Sequence, residues 1–287
     1  MSNIRINSKM NGLVALKGSW IKAIIILCVI ALLGFGIIKL DDAYRLIFNV
    51  PRFTSDNYIN INVWSFVVAA VFTVVWFLVF VPLVFGMLEW YWNLTGGKPT
   101  GVGDIFAWYG SLRLYLKSLQ LTLNVFLRSL LWWIITCGIP SVMIYASCYY
   151  ARGIDLNQTD FSAQQIQNLL VSGILMLFGI LLLLGGAILF IFIVSRYLLA
   201  FFLIVEDSSI KVSVAIKNSI EYSREYRWEM TKFILSFVGW AIFCLALFPV
   251  LFVVPYFCSS MSIFSKHIIY TQRAKISGGN VAKTSEE

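Results

Sequence analysis

The sequence predicts an all-α, multi-pass membrane protein, a bundle of about six transmembrane helices with an amphipathic helix on its cytoplasmic side. The chain has 287 residues, of which 60% are hydrophobic and only 13% are charged, whereas soluble domains are about 45–50% apolar and about 25% charged. Its mean hydropathy is +0.83, and several uncharged stretches exceed the roughly 18 apolar residues that mark a membrane-spanning helix. We therefore interpret the net charge of +8 as a signal of orientation in the membrane and not of nucleic-acid binding.

The first half of the chain predicts three spans. The first covers about residues 20–38, and since no convincing cleavage site follows it, we expect a retained helix and not a signal peptide. The second covers about 63–88 and is followed by a loop that contains Gly and Pro. Residues 104–128 mix charged and apolar side chains, and we expect an interfacial or obliquely entering helix that continues into the third span, about 129–145.

The second half predicts three more spans, so that residues 1–270 form one transmembrane domain. The fourth span covers about 169–194 and has small residues every seven positions on one face, where another helix is expected to pack; they are Ser172, Gly179 and Gly186. A short hairpin separates the last two spans, about 233–248 and 250–266. The polar residues 271–287 are expected to form a disordered cytoplasmic tail.

A charged segment lies between the fourth and fifth spans. Residues 208–229 predict one amphipathic helix, for which Asp207 and the two serines after it offer N-cap chemistry. The helix is expected to lie on the inner membrane face or to cap the bundle. Lys217 with Glu221 and Glu221 with Arg224 have the spacing of weak helical ion pairs. The residues expected to dock a partner are Lys211, Lys217, Glu221, Arg224 and Arg227.

Lysine and arginine near the span ends orient the helices. The N-terminal arm, the loop after the second span, the charged segment and the tail are rich in basic residues, and the intervening loops are not. Under the positive-inside rule, both termini and the charged segment are therefore expected to be cytoplasmic.

The sequence offers little for catalysis or cofactor binding. The single histidine, His267, has no second histidine with which to share a metal, and the five cysteines form no CxxC pair, so we interpret them as packing residues. The motifs of zinc proteases, serine hydrolases and P-loop proteins are absent. We expect no catalytic residue, no metal and no cofactor.

Two arginines stand closest to the apolar runs, Arg128 before the third span and Arg196 after the fourth. One interpretation is that they hold an anionic lipid headgroup or substrate between them. The other is that both side chains snorkel to the cytoplasmic surface, and this is the favoured interpretation.

Four stretches together resemble one bacterial family; they are residues 15–24 (ALKGSWIKAI), 81–106, 196–240 and 255–270. In this order they are similar to the integral-membrane family called domain of unknown function nine-seven-five, found mainly in Firmicutes. The chain departs from that pattern by extra length at 141–168 and by Glu225-Tyr226-Arg227, where the family has Gly-Asn or Gly-His before the tryptophan. With this departure, the charged helix is expected to run straight into the next span. The resemblance implies a polytopic protein of the bacterial plasma membrane and no assigned activity.

Three classes of function remain open. The favoured class is a non-catalytic scaffold, regulator or accessory subunit, with the lipid bilayer and another membrane or cytoplasmic protein as partners. The second is a permease or export component for a lipid, peptide or amphiphile, although the spans lack the acidic residues and broken helix pairs that secondary transporters often show. The third is an intramembrane enzyme, for which the spans supply no recognisable nucleophile or acid–base pair.

Overall fold

The computed structural model describes residues 2–50, 63–152, 162–246 and 248–284. Within these ranges the chain forms ten α-helices, joined by short connections: α1 (Ser2–Leu16), α2 (Trp20–Ile47), α3 (Val63–Thr95), α4 (Leu112–Ala151), α5 (Ala163–Val194), α6 (Leu198–Glu206), α7 (Val212–Tyr222), α8 (Arg227–Leu235), α9 (Val238–Phe243) and α10 (Val250–Thr284). Three 3₁₀ helices occur as well, at Val102–Tyr109, Ser195–Tyr197 and Cys244–Ala246.

Among the described residues, five helical segments are long and apolar enough to cross a membrane: Trp20–Ile47, Val63–Thr95, Leu112–Ala151, Ala163–Glu206 and Arg227–Ala246. The fourth joins α5, a 3₁₀ turn and α6, and the fifth joins α8, α9 and a 3₁₀ turn. The predicted all-α class with several membrane-spanning helices is confirmed.

The helix α4 is much longer than a membrane requires. Its 40 residues extend about 60 Å at 1.5 Å per residue, whereas the hydrocarbon core of a bilayer is about 30 Å thick. Ser111 caps its start, since its side chain accepts a hydrogen bond from the backbone N–H of Leu114. The polar stretch predicted at 104–128 is therefore divided: its beginning lies in the 3₁₀ helix, and from Leu112 onward it is the first part of α4, continuous with the predicted third span.

The helices α4 and α5 pack closely in antiparallel directions through small residues of α5. A Cβ atom on Gly186 would lie 2.2 Å from the carbonyl oxygen of Thr136, and one on Gly179 would lie 2.8 Å from a side-chain carbon of α4. Ser147 donates a hydrogen bond to the carbonyl oxygen of Ser172 at 2.8 Å. The face of α5 with small residues every seven positions thus lies against α4, where two backbones approach without intervening side chains.

Pro82 interrupts the backbone hydrogen bonds of α3. Proline has no N–H, so the carbonyl group four residues earlier, that of Leu78, loses its helical donor. The hydroxyl of Tyr115 donates to this carbonyl at 3.2 Å, and the hydroxyl of Tyr109 donates to the neighbouring carbonyl of Val79. These bonds attach the 3₁₀ helix and the first turn of α4 to the middle of α3.

Buried side chains concentrate at one end of the molecule, which we call the packed end. There the C-terminal half of α3 meets the 3₁₀ helix 102–109, α6, α7, α8 and α10. The largest fully buried side chains are Trp90, Trp108, Tyr91, Phe85, Phe202, Phe233 and Phe264. By contrast, large apolar side chains such as Leu32, Ile139 and Leu184 are exposed along the long helices. Such surfaces suit lipid, in which apolar side chains need no protein cover.

The charged segment differs from the prediction of one helix over 208–229. It forms α7 and α8, with a turn at residues 223–226 between them. The turn lets Tyr222 and Tyr226 both enter the core, where they are 8% and 5% exposed, so the helix does not run straight into the next span. Asp207 does not cap α7 either, because its carboxylate accepts from the backbone N–H of Ser209 at 2.8 Å and Lys211 precedes the helix.

The C-terminal residues also differ from prediction. Residues 271–284, part of the predicted disordered tail, continue α10, which ends at Thr284. Residues 285–287 lie outside the described part. Polar contacts explain part of the extension: Gln272 donates to Glu225 at 3.1 Å, and Arg273 donates to Glu206 at 2.9 Å.

We expect Gly186→Ala to destabilise the protein and Gly185→Ala to be tolerated. A Cβ on Gly186 meets backbone, whereas one on Gly185 meets nothing within 4 Å; both changes gain the same helix propensity. Overpacking of this kind costs about 1–3 kcal/mol. The measurement is the thermal unfolding midpoint of each variant in one detergent. Equal midpoints for the two variants would contradict the close α4–α5 contact.

Candidate functional site

The helix α7 rests on protein along its apolar side. Its buried residues are Val212, Ala215, Ile216, Ser219 and Tyr222. The hydroxyl of Ser219 donates to the carbonyl oxygen of Arg196 at 2.6 Å, which attaches α7 to the 3₁₀ turn between α5 and α6. The Nζ of Lys117 on α4 donates to the carbonyl oxygen of Ser208 at 2.5 Å and fixes the connection that leads into α7. The apolar side of α7 is therefore used within the chain.

The other side of α7 carries exposed charge. Four of the five predicted docking residues are exposed, namely Lys211, Lys217, Glu221 and Arg224. Within the described ranges, the pairs Lys217–Glu221 and Glu221–Arg224 do not form ion pairs. Arg227 is half-buried at the start of α8 and does not belong to this exposed row. We call these four residues the α7 face.

Carboxylates around α7 are engaged by cations from other elements. Three ion pairs connect distant parts of the chain: Glu206 with Arg273 at 2.8 Å, Glu225 with Lys275 at 2.6 Å and Glu229 with Arg5 at 2.9 Å. Glu229 also pairs with Lys232 at 3.1 Å. These acids lie outside the α7 face, which has three basic residues and one acidic residue, Glu221, and is therefore mainly basic.

Hydrogen bonds shift the pKa values of the exposed pair between the turn and α10. Donation by Lys275, and then by Gln272, lowers the pKa of Glu225, and the same bond to Glu225 raises the pKa of Lys275. The contribution of Glu225 is present above the ordinary carboxyl pKa and is lost as pH falls through its lowered value. The contribution of Lys275 is present below the ordinary lysine pKa and is lost as pH rises through its raised value. The contact therefore persists throughout the neutral range.

Arg196 lies against α4. Its guanidinium stands over the ring of Trp132, 5.4 Å from the centroid, and over that of Tyr197 at 4.7 Å. It donates to the Tyr197 hydroxyl at 2.7 Å, while its Nε is buried and donates to no acceptor in the described residues. Because helical side chains lean toward the N-terminus of their helix, Arg196 points back along α5 toward Trp132.

Arg128 is exposed on α4, one turn before Trp132. Thr136 of α4 is level with Gly186 of α5, and continuing this antiparallel pairing by eight residues places the backbone of Arg128 beside that of Val194. The backbones of the two arginines are therefore at similar heights on adjoining helices, while their side chains lean in opposite directions. Neither forms an ion pair within the described ranges.

Among the described residues there is no group of three or more His, Cys, Asp or Glu side chains that could hold a metal ion. His267 is exposed on α10, and the five cysteines are free thiols. Glu89 accepts a hydrogen bond from the indole of Trp108 at 2.7 Å.

Sequence reasoning did not identify Glu229, Arg5 or Lys117 as functional residues. Each makes its decisive contact with a residue far along the chain, and no local spacing signals such a contact. Trp132 and Tyr197 were missed for a related reason: apolar runs in membrane helices contain many aromatic residues, and only the fold shows which of them meet a cation.

Comparisons with known proteins supply no identity for the chain: no family model, no curated protein and no solved structure matches it. The resemblance to domain of unknown function nine-seven-five stays a prediction.

We expect Glu229→Gln to destabilise the junction of α1 with α8, and Glu225→Gln to have little effect. The Glu229 side chain is 11% exposed and meets two cations, whereas that of Glu225 is 51% exposed. Losing a charged hydrogen-bond partner at a mostly buried site costs about 1–3 kcal/mol, and exposed pairs contribute little. Thermal unfolding and protease sensitivity of α1 are the measurements. An unchanged midpoint for Glu229→Gln would show that the pair does not hold α1.

Proposed function

We propose that the chain is a non-catalytic scaffold, regulator or accessory subunit of the bacterial plasma membrane, which docks a partner protein on the α7 face. One observation carries the proposal. Exposed charges lie on α7, at Lys217 and Glu221, and at its two ends, at Lys211 and Arg224. The apolar side of this helix is already buried in the chain. Such a helix can present charge to water, because its apolar side is already covered by the protein and needs no further partner.

The contacts that hold α7 in place favour the binding of a partner protein. Lys117 holds its N-terminal connection, and Ser219 holds its middle. A surface that is already ordered loses little conformational entropy on binding. Because the α7 face is mainly basic, an acidic protein surface fits it best, and such complementarity contributes chiefly to specificity and association rate.

The proposed topology has six spans with both termini in the cytoplasm. The segment 227–246 and the first part of α10, about 250–266, form the last hairpin. Packing of α1 along α10 supports a common side for the two termini: Ser259 donates to the carbonyl oxygen of Gly12 at 2.9 Å. The basic residues of α1, α7 and α10 then share the cytoplasmic side, as the positive-inside rule requires.

A cleft between α2 and α3 favours a second candidate function, a permease or export component for an amphiphile. Its volume is about 310 Å³, and its lining combines the apolar side chains of Phe72 and Trp76 with Thr73 and an ion pair of Arg45 with Asp41 at 2.9 Å. Ligand pockets typically combine an apolar wall with a few polar groups in this way. Flux of a labelled amphiphile in proteoliposomes tests this candidate, and absence of flux would remove it.

We expect replacement of the basic residues of the α7 face to abolish recovery of the partner protein. The variant is Lys211→Ala, Lys217→Ala and Arg224→Ala together. Its matched control removes three exposed basic residues outside α7, Lys17→Ala, Lys98→Ala and Arg113→Ala. Affinity purification in mild detergent from the native cell should recover a stoichiometric partner with the wild type and the control only. Recovery of the wild-type protein alone, or equal loss with both variants, would reject the docking proposal.

The topology has its own test. A reporter active only outside the cytoplasm should give signal when fused after Asp155 and none when fused after Lys283, because an even number of spans returns the chain to the cytoplasm. The opposite pattern would invert the proposed orientation, and signal from both fusions would require an odd number of spans.

A further inference from the structure

The N-terminal helix α1 has three different sides, of which one packs on the rest of the chain, chiefly on α10. Ser8 and Leu16 are buried on this side, and Ser259 donates a hydrogen bond to the carbonyl oxygen of Gly12 at 2.9 Å. A Cβ atom on Gly12 would lie 2.9 Å from the backbone of Ser260. This side of α1 is therefore covered by the protein itself.

A second side of α1 is apolar and exposed. Its four residues follow the helical spacing i, i+4, i+7 and i+8, and we call them the apolar stripe of α1: Ile6, Met10, Leu13 and Val14. Met10 and Val14 are 61% and 68% exposed. Exposed apolar residues that are contiguous in this way mark a surface for a membrane or for another protein.

The third side of α1 is polar. Asn7 and Asn11 are exposed and lie one turn apart, and the helical rotation of 3.6 residues per turn places them next to the apolar stripe. Apolar and amide side chains thus meet along a line parallel to the helix axis. Such a boundary is typical of a helix that lies in the plane of a membrane surface, with one side among acyl chains and the next in water.

Continuity with α2 indicates that lipid covers the apolar stripe. The helix α2 is one of the segments long and apolar enough to cross a membrane, and it begins at Trp20, shortly after α1 ends at Leu16. Gly18, with φ at 85°, turns the chain between the two helices. Ile21, in the first turn of α2, is 76% exposed, so the surface suited to lipid continues across the turn. The helix α1 also has no acidic residue that an anionic membrane surface would repel.

We propose that α1 lies in the plane of the membrane surface, with the apolar stripe among the acyl chains of one leaflet and Asn7 and Asn11 in water. Helices of this kind enter the boundary between headgroups and acyl chains by about 5–10 Å. The ion pair of Arg5 with Glu229 then connects the lipid-bound helix to α8. The proposal does not depend on the docking of a protein on the α7 face.

The sequence does not show this arrangement, because the apolar residues of α1 lie on two sides. Some form the stripe, and others, such as Ile4 and Leu16, pack against the rest of the chain. The helical pattern of a single apolar side is therefore absent, and only the packing of α1 shows which apolar residues are free to contact lipid.

Photocrosslinking of the full-length protein in nanodiscs tests the proposal. A benzophenone amino acid replaces Met10 or, as the matched control, its neighbour Asn11, which is also exposed but lies on the polar side. The nanodiscs contain phosphatidylglycerol and phosphatidylcholine, and mass spectrometry detects lipid adducts after irradiation. The probe at Met10 should form lipid adducts several times more often than the probe at Asn11, because only the former lies among acyl chains.

A second comparison uses charge and does not require a probe. The variant Met10→Asp with Leu13→Asp places two carboxylates on the apolar stripe, whereas Asn7→Asp with Asn11→Asp places the same charge on the polar side. Hydrogen–deuterium exchange of the α1 amides is measured in the same nanodiscs. Exchange should increase in the first variant, since carboxylates are unfavourable among acyl chains, and should stay close to that of wild type in the second.

Equal lipid adducts at Met10 and Asn11, or none at Met10, would overturn the proposal. Adducts between Met10 and a second protein chain would also overturn it, because a protein would then cover the stripe. Unchanged exchange in the variant of the apolar stripe, or an equal increase in both aspartate variants, would show that lipid contact does not hold α1.

Discussion

The carbonyl group of Leu78, which Pro82 leaves without a helical donor, and the neighbouring carbonyl group of Val79 position α4, and much of the molecule depends on where α4 lies. Tyr115 and Tyr109 bind the carbonyls of Leu78 and Val79 and thereby attach the start of α4 to α3. A carbonyl group without a donor inside a membrane protein is costly, and the hydroxyl of Tyr115 replaces the donor that Pro82 removes. From this attachment α4 extends beyond the bilayer on one side, where Lys117 reaches the connection to α7.

The same helix determines the place of α5. Close contact between Gly186 and Thr136 fixes the height at which α5 ends, and so brings Arg196 to Trp132 and to the level of Arg128. Thus α4 positions both the connection to α7, through Lys117, and the side chain of Arg196, through Trp132.

Most of the helical architecture follows from short stretches of sequence. Long apolar runs predict helices because a backbone in lipid must satisfy its own hydrogen bonds. In the described part of the chain, five helical segments are long and apolar enough to cross a membrane. The seven-residue spacing of Ser172, Gly179 and Gly186 indicates a packing face for the same local reason. The positions at which helices end or continue were harder to predict. The turn at 223–226 forms because Tyr222 and Tyr226 share one core, and the helical continuation of α10 is accompanied by contacts with Glu206 and Glu225.

The amino-acid sequence by itself determined that the chain is helical and belongs in a membrane, and it marked the charged segment and the two arginines as unusual. Each of these features depends on residues that are close together in the sequence. Hydropathy and helical spacing therefore reveal them without knowledge of the fold. Tertiary structure alone decided which side of α7 is free, which carboxylates are neutralised and which aromatic rings cover Arg196. Those outcomes depend on contacts such as Glu229 with Arg5 and Ser219 with Arg196, whose partners are far apart in sequence and meet only when the helices pack.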